Sequence, residues 1–273
     1  MPLVDSGGTK IWYNVRGEGT PILMCNGWGG SSDSWSEEFI RLLAEKHQVV
    51  LVDNRGTGRS GKPDEPYTME QMSGDSNRVL AELGVETAHV LGFSMGGYIA
   101  EALAIYHSDK VRSLILCATS PGSAHRAPIT IETSRELAKV SDDKLSKHDR
   151  VKALIYLLYP QDYVEPRLEE LIADESYDAN PTPIYALKSQ NAATASFDAY
   201  DRLQDLNIPS LILAGDSDRL IPSENSRILA ERIPRAELHI LAGLGHGFIK
   251  QATTETVKLI LDFTSLVDKQ LKK

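Results

Sequence analysis

Three uninterrupted aliphatic runs constrain this chain more than any other feature: Val49-Val50-Leu51-Val52, Leu114-Ile115-Leu116-Cys117 and Leu211-Ile212-Leu213-Ala214. A strand with one wet face alternates apolar and polar residues, whereas a strand covered on both faces is apolar throughout. Runs of this length, bounded by loops and interleaved with helical spacing, describe parallel strands joined by helical crossovers. Strands are read at 22–25, 48–52, 89–93, 111–117, 211–214 and 238–241, and helices at 35–45, 69–83, 95–106, 224–232 and 255–266. A hairpin of 3–5 and 10–16, turned at Ser6-Gly7-Gly8-Thr9, precedes them. The class is α/β, a doubly wound, mostly parallel sheet.

Between 117 and 211 the alternation stops. Helical spacing recurs at 133–140, 149–158, 167–174 and 183–190, with no convincing strand. Such an insertion is expected to lie as a helical cap over one end of the sheet. The expected division is a core of 1–121 and 206–273 with a cap of 122–205. Six of the ten tyrosines fall in the cap: Tyr156, Tyr159, Tyr163, Tyr177, Tyr185 and Tyr200. They either pack cap onto core or line an apolar substrate pocket with their hydroxyls free to bond.

Charge limits the partners. The 273 residues carry 29 Lys and Arg against 38 Asp and Glu, a formal net charge of −9. Binding nucleic acid or an anionic membrane surface calls for a basic surplus that this chain lacks. No apolar stretch approaches the roughly 18 residues of a membrane span. The start, MPLVDSGGTK, has neither the basic nor the apolar region of a secretion signal, so a soluble cytoplasmic protein is expected. Cys25 and Cys117 lie in apolar runs and read as buried, reduced thiols.

The chemistry is concentrated in the loops after strands. Gly92-Phe93-Ser94-Met95-Gly96-Gly97 stands between an apolar strand and the run YIAEALAIY, read as amphipathic. That is the context of a nucleophile elbow, where a serine on a sharp strand-to-helix turn holds its hydroxyl out. Side chains two residues either side would collide across the turn, which accounts for Gly92 and Gly96. A nucleophilic serine needs a base, and the base an orienting acid. Of seven histidines, His246 follows the last strand-like run inside Gly243-Leu244-Gly245-His246-Gly247, whose glycines are expected to let the loop bend over the sheet edge. His89 and His239 sit at strand positions. The acid should follow the preceding strand, where Asp216 and Asp218 compete.

Four motifs in order give the chain a resemblance to the α/β-hydrolase-fold enzymes, of the capped carboxylesterase and enol-lactonase type. They are Asn26-Gly27-Trp28-Gly29-Gly30, then Asp53-x-Arg55-Gly56-x-Gly58-x-Ser60, then the Ser94 elbow, then Gly215-x-x-Asp218 with Gly245-His246. The resemblance spans essentially the whole chain. It implies a Ser94, Asp218, His246 triad, with Asp218 preferred because it stands three residues after Gly215 and four before Pro222. It also implies an oxyanion hole made by the backbone N–H groups of Trp28 and Met95. One departure is Asn26, where such families have histidine. Arg55 reads as loop scaffolding. The implied activity is cofactor-independent and metal-free hydrolysis of a small carboxylic ester or lactone, with that substrate and water as partners. Alternatives on the same triad are a C–C bond hydrolase or a cofactor-free perhydrolase of the haloperoxidase type. A ligand-binding member without catalysis is a third. Serine at the elbow excludes relatives with an aspartate nucleophile, and Gly56-x-Gly58 lacks the third glycine of a dinucleotide fingerprint.

Overall fold

The aliphatic runs become the inner strands of one sheet, shown in a computed structural model that describes residues 2–140, 142, 144–176 and 179–271. The strands are β1 Leu3–Ser6, β2 Thr9–Arg16, β3 Thr20–Cys25, β4 His47–Val52, β5 Ala88–Phe93, β6 Val111–Cys117, β7 Ser210–Gly215 and β8 Ala236–Leu241. Their order is β1-β2-β4-β3-β5-β6-β7-β8. The β1–β2 and β2–β4 pairs are antiparallel and all the others parallel. Alternation within a strand now has a purpose on both faces. Leu23 and Cys25 of β3 join one apolar layer, and Ile22 and Met24 join the layer behind it.

Helices α1 Glu37–Ala44, α2 Met69–Glu82 and α3 Met95–Tyr106 follow β3, β4 and β5. Ser36 caps α1 by accepting from Phe39 N, and Thr68 with Gln71 forms a capping box on α2, so both starts satisfy otherwise orphaned amides. The α3 run is not amphipathic. From Met95 to Ala104 every residue is buried, and Glu101, its one charged member, is 0% exposed. A helix apolar on nearly every side is a core helix.

Between β6 and β7 the described residues form α4 Ile131–Val140, α5 Lys147–Leu158, α6 Gln161–Val164, α7 Leu168–Ser176, α8 Ile184–Ser196 and α9 Tyr200–Leu203. The outgoing and returning chains meet at an isolated bridge, Gly122 to Asp198. Tyr159 and Tyr163 pack together in a small apolar cluster of this segment, and Tyr200 stacks on His125. The Tyr185 hydroxyl donates to Lys62 O at 3.0 Å. Tyr177 lies outside the described residues. The chain ends with α10 Glu224–Arg232, α11 Phe248–Gln251 and α12 Thr253–Leu271. Among the described residues no helix is long and apolar enough to cross a membrane.

The strand order fixes where chemistry can sit. β3 is flanked by β4 on one side and β5 on the other, with α1 packing on one face and α2 and α3 on the opposite one. The connections part at this point, and in open α/β sheets such a switch point, at the carboxyl ends of the strands, is where ligands bind.

Candidate active site

Two loops leave the sheet at that point, after β3 and after β5. The one after β5 is a single residue, Ser94, with φ 56° and ψ −122°. A non-glycine residue there is strained and persists only when its surroundings impose it. Ser94 N–H donates to Cys117 O of β6 at 2.9 Å, and Ser94 O accepts from Gly97 N at 2.9 Å, which holds the turn from both sides. A Cβ on Gly92 would overlap the carbonyl of Gly96, the collision read from the sequence. A Cβ on Gly96 would instead strike Cys25 O of β3, so the second glycine is set by the neighbouring strand.

The loop after β3 is built around Asn26. Its Nδ2 donates to Ser31 O at 2.6 Å and its Oδ1 accepts from Gly27 N at 2.7 Å. The amide therefore spans the loop in place of a histidine, giving and accepting one bond each. Gly27 brings the loop beside the elbow, where a Cβ would stand 3.2 Å from Ser94 Cβ. Trp28 N and Met95 N donate to no other group among the described residues.

The loops after β7 and β8 meet through one short bond. His246 Nδ1–H donates to Asp218 Oδ2 at 2.7 Å, with His246 3% and Asp218 5% exposed. The other carboxylate oxygen, Oδ1, accepts from Leu220 N at 2.9 Å and Ile221 N at 2.8 Å. Two amides hold the carboxylate and leave Oδ2 for the imidazole. Because that oxygen only accepts, Nδ1 carries a proton, and in the neutral imidazole the lone pair is then on Nε2. The imidazole lies 5.0 Å, centroid to centroid, from the ring of Phe93, the residue before Ser94. No hydrogen bond joins Ser94 Oγ to His246. Catalytic contacts often tighten only when substrate is bound.

Asp216 is placed elsewhere. Its Oδ1 accepts from Gly243 N at 2.8 Å and Ser217 Oγ at 2.9 Å, tying the acid loop to the loop that carries His246. The glycines around His246 differ from expectation in their reason. Gly243 does turn the loop, with φ 72°, but neither flanking glycine, Gly245 or Gly247, has a positive φ. Gly245 and Gly247 are small because Leu158 O and the Tyr159 ring at the end of α5 press on them. The remaining histidines are engaged elsewhere: His47 with Thr264, His89 with Ser113, His107 with Asn77, His125 with Asp198, His148 with Asp149 and His239 with Glu237.

Arg55 makes a buried two-pronged pair with Asp75, both bonds 2.7 Å. It acts as scaffold for its loop, as read. Asp53 Oδ1 accepts from Ser32 N at 2.7 Å and Oδ2 from Arg59 N at 2.8 Å, joining this loop to the one after β3. Both thiols are buried and unpaired, and burial pushes the Cys25 thiol up to about 12. Among the described residues no three His, Cys, Asp or Glu side chains converge as a metal-binding group. Gln190 of α8 was not singled out from the sequence. It is 0% exposed, and its Oε1 accepts from Gly29 N at 2.8 Å. Nothing in the spacing of α8 marks it, because its partners lie more than a hundred residues away.

A family model of the alpha/beta hydrolase fold matches residues 20–252, and the chain belongs to that family. "Putative carbamate hydrolase RutD" of Azorhizobium caulinodans is 32% identical over 272 residues, covering 98% of this chain and 100% of that protein. The 2-hydroxy-6-oxo-6-phenylhexa-2,4-dienoate hydrolase of Comamonas testosteroni is 27% identical, covering 95% of this chain and 92% of its own. The solved structure of an esterase from Exiguobacterium antarcticum matches with a TM-score of 0.83 at 25% identity, covering 96% of this chain and 98% of that one.

Proposed function

We propose that the chain is a serine hydrolase that opens a small carboxylic ester or lactone through an acyl-enzyme. The observation that carries this reading is the buried Asp218–His246 pair, on the loops after β7 and β8, together with a strained Ser94 at the carboxyl end of β5. Ser94 Oγ adds to the substrate carbonyl while His246 Nε2 takes its proton. Asp218 holds the imidazole tautomer. The Trp28 and Met95 amides, which have no acceptor among the described residues, donate to the oxyanion. Collapse expels the alcohol, protonated by His246, and water activated by the same imidazole releases the acid. Residues 122–205 act as a cap that shapes the pocket for the acyl and alcohol groups.

The name borne by the RutD relative favours a second reading, a carbamate as the substrate. A carbamate carbonyl passes through the same tetrahedral oxyanion, so the machinery is unchanged and only the pocket decides.

A fluorophosphonate probe should label the wild type at Ser94 alone. Ser94→Ala should lose at least about 10⁴-fold in turnover while its circular dichroism is unchanged. Labelling at another residue, or an active alanine variant, would sink the assignment. Rates on p-nitrophenyl acetate, a p-nitrophenyl carbamate and a meta-cleavage product then rank the substrate classes.

A further inference from the structure

The loop after β3 presents three consecutive amides, and their partners are divided in a way that singles out one of them. Gly27 N donates to Asn26 Oδ1 at 2.7 Å and Gly29 N donates to Gln190 Oε1 at 2.8 Å. Between them stands the peptide unit joining Gly27 to Trp28. Its carbonyl, Gly27 O, accepts from Gly30 N at 3.2 Å. The planes on either side are pinned by side chains and the carbonyl of the middle plane by the turn. Because N–H and C=O point opposite ways from one peptide plane, the Trp28 N–H is aimed without being used.

Two of these restraints are made inside the loop, and the third comes from α8. Gln190 is fully buried, and its Nε2 also donates to Arg55 O at 3.2 Å, in the loop that Asp75 holds. Two further bonds seat α8 and its approach on the same residues. Trp28 Nε1 donates to Leu187 O at 3.0 Å, and Thr182 Oγ1 donates to Gly29 O at 2.9 Å.

We infer that Gln190 is a positioning residue that aims the Trp28 amide at the reacting oxygen, so that the seat of α8 on the core completes the oxyanion hole. This rests on the catalytic reading above. Gln190 touches no reacting atom and acts through Gly29. Its loss should therefore weaken interactions with the tetrahedral oxyanion and leave ground-state binding alone. Removing one oxyanion donor outright costs about 10²–10³ in kcat. A donor that is present but misaimed should cost less.

The test compares the wild type with Gln190→Met, which keeps length and bulk but loses both bonds. Trifluoroacetophenone takes up a serine oxygen at its carbonyl and presents an oxyanion; acetophenone occupies the same pocket and does not. The expected result is a fall in kcat of about 10- to 100-fold, with KM changed less than about threefold. Affinity for trifluoroacetophenone should fall by the same factor as kcat/KM, while that for acetophenone holds. If Gln190→Met fails to fold, Trp28→Phe, which removes the bond to Leu187 O and part of the indole's packing while keeping the backbone amide, should move the same two quantities in the same direction by less. A folded variant with wild-type kcat and wild-type trifluoroacetophenone affinity overturns the inference. So does equal loss for both ketones, which would make Gln190 a general pocket residue. A wild type that neither turns over esters nor is labelled at Ser94 brings down the catalytic reading itself, a result distinct from an active wild type with an indifferent variant.

Discussion

Asp216 and Asp218 stand two residues apart on one loop and differ in what their oxygens can reach. Asp218 gives Oδ1 to two amides and Oδ2 to His246, whereas Asp216 spends Oδ1 on Gly243 N and Ser217 Oγ. Asp218→Asn puts an amide where the imidazole N–H needs an acceptor and favours the wrong tautomer. Turnover should fall about 10⁴-fold, by analogy with the serine-protease acid. Asp216→Asn keeps an acceptor for Gly243 and should cost less than about tenfold, in keeping with a neutral bond worth about 1 kcal/mol. Steady-state kinetics on two folded variants decide the matter, and the opposite ranking would move the acid to Asp216. At this scale much was legible, because a residue at a strand end is pinned by its place in a loop motif. The glycines beside His246 were legible in position but not in cause. Their neighbours, Leu158 and Tyr159, come from a helix nearly ninety residues earlier in the chain. Gln190 was illegible for the same reason, since a polar residue in a helix looks solvent-facing until its long-range partners are known.

At the scale of elements, the strands and helices of the core follow their patterns to within a few residues, and α3 shows where pattern misleads. One glutamate in an aliphatic run reads as a wet stripe. Here it is enclosed, and neither oxygen of Glu101 has a hydrogen-bond partner. Burial, and secondarily the negative charge of Asp198, raises its pKa well above the ordinary 4.5. The sign follows from linkage. The unfolded chain releases this proton near pH 4.5 and the fold keeps it, so the contribution to stability declines as pH rises above 4.5. Glu101→Gln cannot titrate. Any cost of burying the amide is the same at every pH, so the informative quantity is the difference between two pH values. The variant should gain at least about 2 °C in Tm relative to wild type on going from pH 5 to pH 8. Thermal melts at the two values test this, and a wild-type-to-variant gap independent of pH would show that Glu101 does not hold its proton in the fold.

The whole molecule adds what no single element contains. Periodicity announces a parallel sheet, but it does not say that β3 lies between β4 and β5, nor that the last helix packs beside α1 and reaches β3 and β6. That packing is apolar along Val257, Ile260, Phe263 and Val267, and polar near the end of the helix. Thr20 Oγ1 donates to Asp268 Oδ2 at 2.7 Å across 248 residues of sequence, and Arg112 reaches Asp268 Oδ1 at 3.0 Å. Under α12 lie two enclosed imidazoles with ring centroids 5.4 Å apart. His47 bonds Thr20 O and Thr264 Oγ1 at 2.9 Å each, and His89 bonds Ser113 Oγ at 2.7 Å. His89 Nε2 lies 3.2 Å from Asp268 Oδ1 but out of hydrogen-bond alignment. Burial lowers both pKa values, and brings His89 down to about 4 despite the nearby carboxylate. Burial acts the other way on Asp268, but the Thr20 hydroxyl, with His89 and Arg112, holds it below the ordinary 3.8. For the histidines the unfolded chain takes up protons as pH falls through 6.5, while the fold keeps His89 neutral until about 4. The histidines' contribution to stability is therefore full above 6.5 and, for His89, declines between those two values, by up to about 1.4 kcal/mol per pH unit. Asp268 adds its own loss only below that window. Between pH 7 and pH 5 Glu101 acts in the opposite sense, so the informative quantity is again a difference between two proteins. In urea unfolding at the two values, His89→Gln, which keeps a polar group for Ser113 but cannot take up a proton there, should lose measurably less stability than wild type, or gain more, on going to pH 5. An equal change in the two proteins would show that His89 does not resist protonation in the fold.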